Sequence, residues 1–308
     1  MSRLSTLSSN PTLRNFAQGA SQSAIRPVAN FLAPPVPVPT MVGKHKIYTA
    51  KNQFHVPETL RGLGGRATRI GFTAADGNYN CQPHGLDFPI DNLEKLEGDQ
   101  LMSMARYGAT LVADVGALAH EVAVINKALA ALGAGTDHDF DADAVDPVKV
   151  IDAQIRAMLL VCKNGAKIKI VLGLGAWLDI KNNVNVRGRI VVGVPGGIAN
   201  VTLEMFGKML LTEPKIELSM MVQDTAAEGV AESMSFLLDQ TVIIFASSDN
   251  PTTLDPSFMK TFRLDGQWMV PGSYQTEDGR GEVLKMDWSE DVQVTNTAAG
   301  VRLNNADA

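Results

Sequence analysis

Between Leu101 and Leu132, apolar or small residues recur in alternating steps of three and four: Leu101, Met104, Gly108, Leu111, Val115, Leu118, Val122, Ile125, Leu129 and Leu132. This spacing predicts one uninterrupted helix, about 48 Å long at 1.5 Å per residue. Asp91, Glu94, Glu97 and Asp99 lie before it, where the helix dipole favours negative charge. Gly133 and Gly135 end it. The same alternation describes a coiled coil. The many alanines (Ala105, Ala109, Ala113, Ala117, Ala119, Ala123) and the single copy of the pattern favour a helix laid across a sheet.

Two extensions precede this helix. The first acidic residue is Glu58; before it lie Arg3, Arg14, Arg26, Lys44, Lys46 and Lys51, so a basic start is joined to a body that carries −12 of a net −6. Residues 1–42 are Ser-rich and carry the run Ala33-Pro34-Pro35-Val36-Pro37-Val38-Pro39, which builds no core of its own. They read as an arm, with a short helix from Pro11 to Ser23. Removing residues 2–40 is expected to leave a folded body. Lys44 to Thr49 alternates as a strand, and Arg61-Gly62-Leu63-Gly64-Gly65-Arg66 is a flexible lead-in. Strands from Ala67 to Thr73 and from Asn78 to Gln82 then flank Asp76-Gly77, a hairpin-turn signal. That hairpin has only Ile70, Phe72 and Tyr79 to bury, so it is expected to lie on another subunit.

After the long helix comes an acidic connector, Asp137 to Asp143. Asp146-Pro147 then supplies an N-cap and a first-turn proline for a helix from Val148 to Cys162. Strands are expected over Lys167–Leu172, Val186–Val194, Ile216–Val222 and Thr241–Ala246, with helices near Asn200–Leu211 and Thr225–Leu238. The tail reads as two strands, Glu282–Asp287 and Asp291–Thr295, joined by a tight turn. The class is α+β.

Chemistry is sparse. Gly62–Gly65 fits no phosphate-binding pattern, and in Gly193-Val194-Pro195-Gly196-Gly197 the proline removes an amide and no Lys-Ser/Thr follows. Read as a calcium loop from Asp139, the acidic connector has Ala144 where Gly is required and Val150 where Glu is required. Cys81 and His84 have zinc-like spacing but no second pair. His120-Glu121 lacks the second histidine of HExxH. Cys81 and Cys162, the only cysteines, are expected to be reduced thiols. No catalytic set, cofactor or metal is expected, and a net charge of −6 argues against a nucleic-acid clamp. Arg61, Arg66 and Arg69 find natural counterparts in Asp91, Glu94, Glu97 and Asp99. With Asp76 and Gly77 at the hairpin tip, these are the candidate intersubunit contacts.

In this order the elements resemble the major capsid proteins of tailed double-stranded DNA phages, which share the Hong Kong 97 fold. The likeness rests on Tyr79-Asn80-Cys81-Gln82-Pro83-His84-Gly85-Leu86-Asp87-Phe88-Pro89-Ile90 leading into the long helix, and on Asp146-Pro147 before a helix. Val171-Leu172-Gly173 with Ala176-Trp177 and Val242-Ile243-Ile244-Phe245 continue it. Pro256 to Phe262 and Gly279-Arg280-Gly281-Glu282 complete it. The resemblance implies an N-terminal arm (1–42), a first strand and extended E-loop (43–90), and a peripheral P-domain with a spine helix (91–164). An axial A-domain (165–255) and return strands of the P-domain (256–308) follow. It implies pentamers and hexamers that close an icosahedral shell around DNA without reading its sequence. The implied location is the virion, with a separate scaffolding protein, a portal and a decoration protein as partners and no membrane. No lysine occurs between Lys51 and Lys95, so an isopeptide weld from this loop is not expected. The rival within the fold is an encapsulin-like shell of a bacterial nanocompartment. The rival outside it is an α/β enzyme using the Gly193–Gly197 turn with a nucleotide.

Overall fold

The computed structural model describes residues 28–47, 59–67, 75–92, 100–162, 167–190, 201–227 and 229–306. Two five-stranded sheets carry the fold. In the first, β1 (Pro35–Val38) runs parallel to β11 (Met259–Leu264), which is antiparallel to β13 (Gly281–Val294). β12 (Val270–Gln275) and β4 (Gln82–Asp91) also pair with β13. The second sheet has the order β5 (Thr136–His138), β14 (Gly300–Asn305), β10 (Thr241–Ser247), β6 (Lys167–Leu172), β7 (Lys215–Leu218). Residues 256–308 are thus divided between the sheets, because β14 pairs with β10.

A single helix, α2 (Gln100–Leu132), packs across β13. Its existence follows from the periodicity, but its buried side is rotated from the expected stripe. Ala109, Val112, Ala113, Gly116, His120, Val124, Ile125 and Ala128 face inward, whereas Leu111 and Val115 remain 38% and 42% exposed. The reason is the size of what the sheet side offers. Trp288, Met286 and Met269 pack against Ala109, Val112 and Ala113. A Cβ on Gly108 would lie 2.4 Å from the Phe88 ring. Small residues let the helix come close, and the larger ones are left outside. From Arg106 to Leu132 the helix is long and apolar enough to cross a bilayer, but half of its most apolar stretch is buried in the subunit.

The second sheet is the core. Val242 to Ala246 of β10 are fully buried, as are Ile170, Val171 and Leu172 of β6. α3 (Pro147–Val161) covers it with Val148, Ile151, Ile155 and Met158, and Asp146 caps that helix as expected, accepting from the Val148 amide at 3.2 Å. α4 (Leu174–Asn182), α5 (Val184–Ile190) and α6 (Leu203–Met209) complete the shell around it. Gly173 opens α4 at a close backbone approach: a Cβ there would sit 2.1 Å from the Asp239 carbonyl oxygen. We expect Gly173→Ala to cost about 3 kcal/mol, the upper end of overpacking effects because backbone is what must move. A urea titration showing an unchanged midpoint would contradict this.

Four expectations are corrected. The tail is not two strands with a turn. It is the single strand β13, because Ser289 and Glu290, which read as turn residues, are buried and paired within the sheet. Val186–Val194 is not a strand in its described part. Asn183 caps α5 through the Asn185 amide at 2.8 Å, overriding the β-branched composition. Thr225–Leu238 is not a helix but part of a ribbon of β8 (Val222–Asp224) and β9 (Met234–Phe236). Asp224 Oδ1 ties its turn by accepting from the Ala226 and Ser233 amides, both at 2.9 Å. Asp76-Gly77 is not a turn: it lies inside β3 (Ala75–Asn80), which pairs with β2 (Val42–Ile47) in the register Lys46↔Asp76 and His45↔Gly77. The helix expected at Pro11–Ser23, residues 68–73 of the first hairpin strand, and Gly193–Gly197 lie outside the described residues.

A further correction concerns the arm. Residues 28–38 are built into the body. Val28, Ala29, Leu32 and Ala33 belong to the main core, and Val36 and Val38 are 3% and 1% exposed.

Candidate assembly surfaces

The described end of the arm is held by a buried polar cluster. α1 (Ala29–Leu32) begins with two amides, Val28 N and Ala29 N, that donate to Glu121 Oε1 and Oε2 at 3.0 and 2.7 Å. Glu121 is fully buried on α2. Burial pushes its carboxyl above the usual range, with the Ala29 and Val28 amides pulling the other way. One turn of sequence along, Asn30 Oδ1 accepts from Arg263 Nη2 at 3.0 Å. The guanidinium stacks 3.3 Å from the centre of the Trp268 ring. It also reaches His120 and Glu290, with Nη2 3.0 Å from His120 Nε2 and Nε 3.8 Å from Glu290 Oε2. His120 Nδ1 is 2.8 Å from that same Glu290 oxygen, and Trp288 Nε1 donates to Glu290 Oε1 at 3.3 Å. Burial lowers Arg263 to about 10, while the Glu290 charge opposes the shift. Burial pushes the Glu290 carboxyl up, but His120 and Arg263 outweigh it and hold it below its ordinary value.

The β2–β3 ribbon is anchored by the same sheet. Tyr79 stacks on Phe262 with ring centres 4.8 Å apart, in a small core with Val36, Val38 and Cys81. His45 lies over Phe262 at 5.2 Å. Asp76 pairs with Lys46 and, at 3.9 Å, with Lys44, both on β2 of its own chain. The Lys46 contact holds its carboxyl below the usual range.

Five of the nine sequence-predicted contacts, Arg61, Arg66, Asp76, Gly77 and Asp91, fall within the described residues. Arg61 and Arg66 are exposed, and Arg61 Nη1 donates to the Gly65 carbonyl at 3.4 Å. Asp91 ends β4 opposite Gly281. Arg69, Glu94, Glu97 and Asp99 lie outside the described residues. Cys81 and His84 part company: the thiol donates to the Phe262 carbonyl at 3.5 Å, and the imidazole stacks on Trp288. Among the described residues no three His, Cys, Asp or Glu side chains gather as metal ligands.

Among the described residues, two apolar faces are exposed. One is the outer side of α2, with Tyr107, Leu111 and Val115. The other is one face of the β8–β9 ribbon. Val222 pairs with Phe236 and Asp224 with Met234, so all four share a side, and Val222, Met234 and Phe236 are 40%, 64% and 42% exposed. A two-stranded ribbon with an uncovered apolar face needs a further layer. Sequence reasoning missed the Glu121 and Arg263 cluster. Its signal was the pair His120-Glu121, the titratable residues between Asp114 and Lys127 in an otherwise mostly apolar stretch of helix.

No family model matches the chain, and no curated protein sequence matches it. Solved structures do. A phage-related protein from Bordetella bronchiseptica is 19% identical with a TM-score of 0.71, over 96% of this chain and 97% of that one. The capsid protein of cyanophage P-SCSP1u is 13% identical with a TM-score of 0.59, over 93% and 90%. The SrpI encapsulin of Synechococcus elongatus is 11% identical with a TM-score of 0.55, over 93% and 89%.

Proposed function

We propose that this chain, which has the Hong Kong 97 capsid fold, is a phage major capsid protein: a structural shell subunit that performs no catalysis. The observation that carries the reading is the likeness to a phage-related protein and a phage capsid protein over nine-tenths or more of the chain. In this reading the first sheet with α2 is the P-domain and spine helix, and the second sheet with α4 to α6 and the β8–β9 ribbon is the A-domain. The β2–β3 ribbon is the root of the E-loop. Copies associate as pentamers and hexamers, and the two uncovered apolar faces and the exposed Arg61 and Arg66 are contacts between them. A scaffolding protein, a portal and a decoration protein are the further partners of such a shell. A body carrying most of the negative charge suits a container that must not adsorb the DNA packed into it.

The purified protein, alone or with its scaffold, is expected to form closed particles under negative stain. A strictly monomeric protein under all assembly conditions would overturn the proposal. Arg66→Glu should weaken assembly, most at low salt, where contacts between exposed charges are least screened. The encapsulin reading is kept because that likeness has nearly the same TM-score as the cyanophage one, 0.55 against 0.59. Particle contents separate the two: packaged DNA supports the capsid, an enclosed protein cargo the nanocompartment.

A further inference from the structure

Asn30 of α1, His120 of α2 and Arg263 of β11 meet at one nitrogen atom. Arg263 Nη2 lies 3.0 Å from Asn30 Oδ1 and 3.0 Å from His120 Nε2. A guanidinium only donates, so His120 Nε2 must accept, and the imidazole carries its proton on Nδ1, facing Glu290. The observed arrangement therefore requires a neutral His120. We propose that His120 is an acid-sensitive latch for segment 28–38: a proton taken up on Nε2 turns this acceptor into a donor, displaces the Arg263 guanidinium and breaks its contact with Asn30.

The groups around the imidazole decide which one yields. Glu290 faces it from β13, Arg263 from β11, and Glu121 adjoins it on α2 and grips the arm amides. The described part of the arm contributes the neutral Asn30, and Trp268 closes the site edge-on, 5.3 Å from the imidazole ring. Glu290 lies 2.8 Å from His120 but 3.8 Å from Arg263, so it retains the new imidazolium and the guanidinium shifts. His120, Glu290 and Arg263 are 3%, 6% and 8% exposed, so solvent screens little of the repulsion between the two cations. Histidine is the side chain whose charge ordinarily changes between about pH 5 and 8, so the test compares pH values across that range. The latch goes beyond the shell reading and acts within one subunit, so it is tested on unassembled protein, whatever becomes of particle formation.

The experiment is hydrogen exchange read by mass spectrometry on peptides covering residues 28–38, at about pH 5.5 and about pH 7.5, corrected for the intrinsic effect of pH. The parent chain should exchange there about tenfold faster at the lower pH. His120→Gln, whose amide oxygen accepts from Arg263 at either pH, should lose that difference. Asn30→Ala is a second variant at an exposed position. It should exchange at the higher pH as the parent does at the lower, with little further change. Protection independent of pH in the parent would overturn the proposal. So would a pH effect that survives in both variants, which would assign the titration to Glu121 instead.

Discussion

Removing residues 2–40 is expected to unfold the chain outright. The deletion takes Val28, Leu32, Val36 and Val38, each 3% exposed or less, out of the two cores they help to fill. A fully buried aliphatic side chain contributes about 1.5–3 kcal/mol, so four contribute roughly 6–12 kcal/mol. Whole domains are stable by about 5–15 kcal/mol. The deletion also strips β1 from β11 and leaves Glu121 buried without the two amides it accepts from. Circular-dichroism melts of the truncated chain decide the matter: a cooperative transition within a few degrees of the parent would mean that residues 28–38 do not belong to this core.

The second large effect is expected at Arg263. Arg263→Met keeps much of the side-chain volume over Trp268 but leaves Glu290 without its guanidinium, at 6% exposure. Breaking one side of a buried pair costs about 3–5 kcal/mol, because the remaining charge is desolvated and uncompensated. For a chain of this size that is a fall in Tm of roughly 10 °C. Adding Glu290→Gln should recover part of the loss, since it removes the stranded charge. Calorimetry of the single and double variants checks both statements. A double variant less stable than Arg263→Met alone would show that Glu290 is held chiefly by His120 and Trp288.

Much of the fold was legible where one local signal acted alone. The α2 periodicity, the Asp146-Pro147 cap and the apolar strands β6 and β10 needed no tertiary information. The failures share a cause: a distant partner outvoted the local pattern. Ser289 and Glu290 read as a turn until Gln267 accepts from the Ser289 amide and Trp288, His120 and Arg263 surround Glu290. Asp76-Gly77 read as a hairpin tip until β2 pairs with it from thirty residues away. The stripe on α2 was misplaced by one position because the large residues of β13 demand small neighbours, and size complementarity across layers leaves no periodic trace. The assembly contacts were least legible. Exposed arginines and acids mark charge, not partners, whereas the apolar side of the β8–β9 ribbon became visible only when part of an expected helix proved to be β9, paired with β8.

The seating of the arm on β11 also sets a timetable. Thr261 donates to the Ala33 carbonyl across 228 positions of sequence, and β1 pairs throughout with residues 261–264. β4 likewise waits for β13. During synthesis, at roughly 5–20 residues per second, the first sheet has no central strand until residues 281–294 have been made. Loop closures of that span are slow, since their entropy is lost before any contact forms. The nascent chain therefore stays incomplete, and the surface that α2 lies on does not exist, until β13 has emerged. A product that stops before β13 has no first sheet, and α2 then has nothing to lie on.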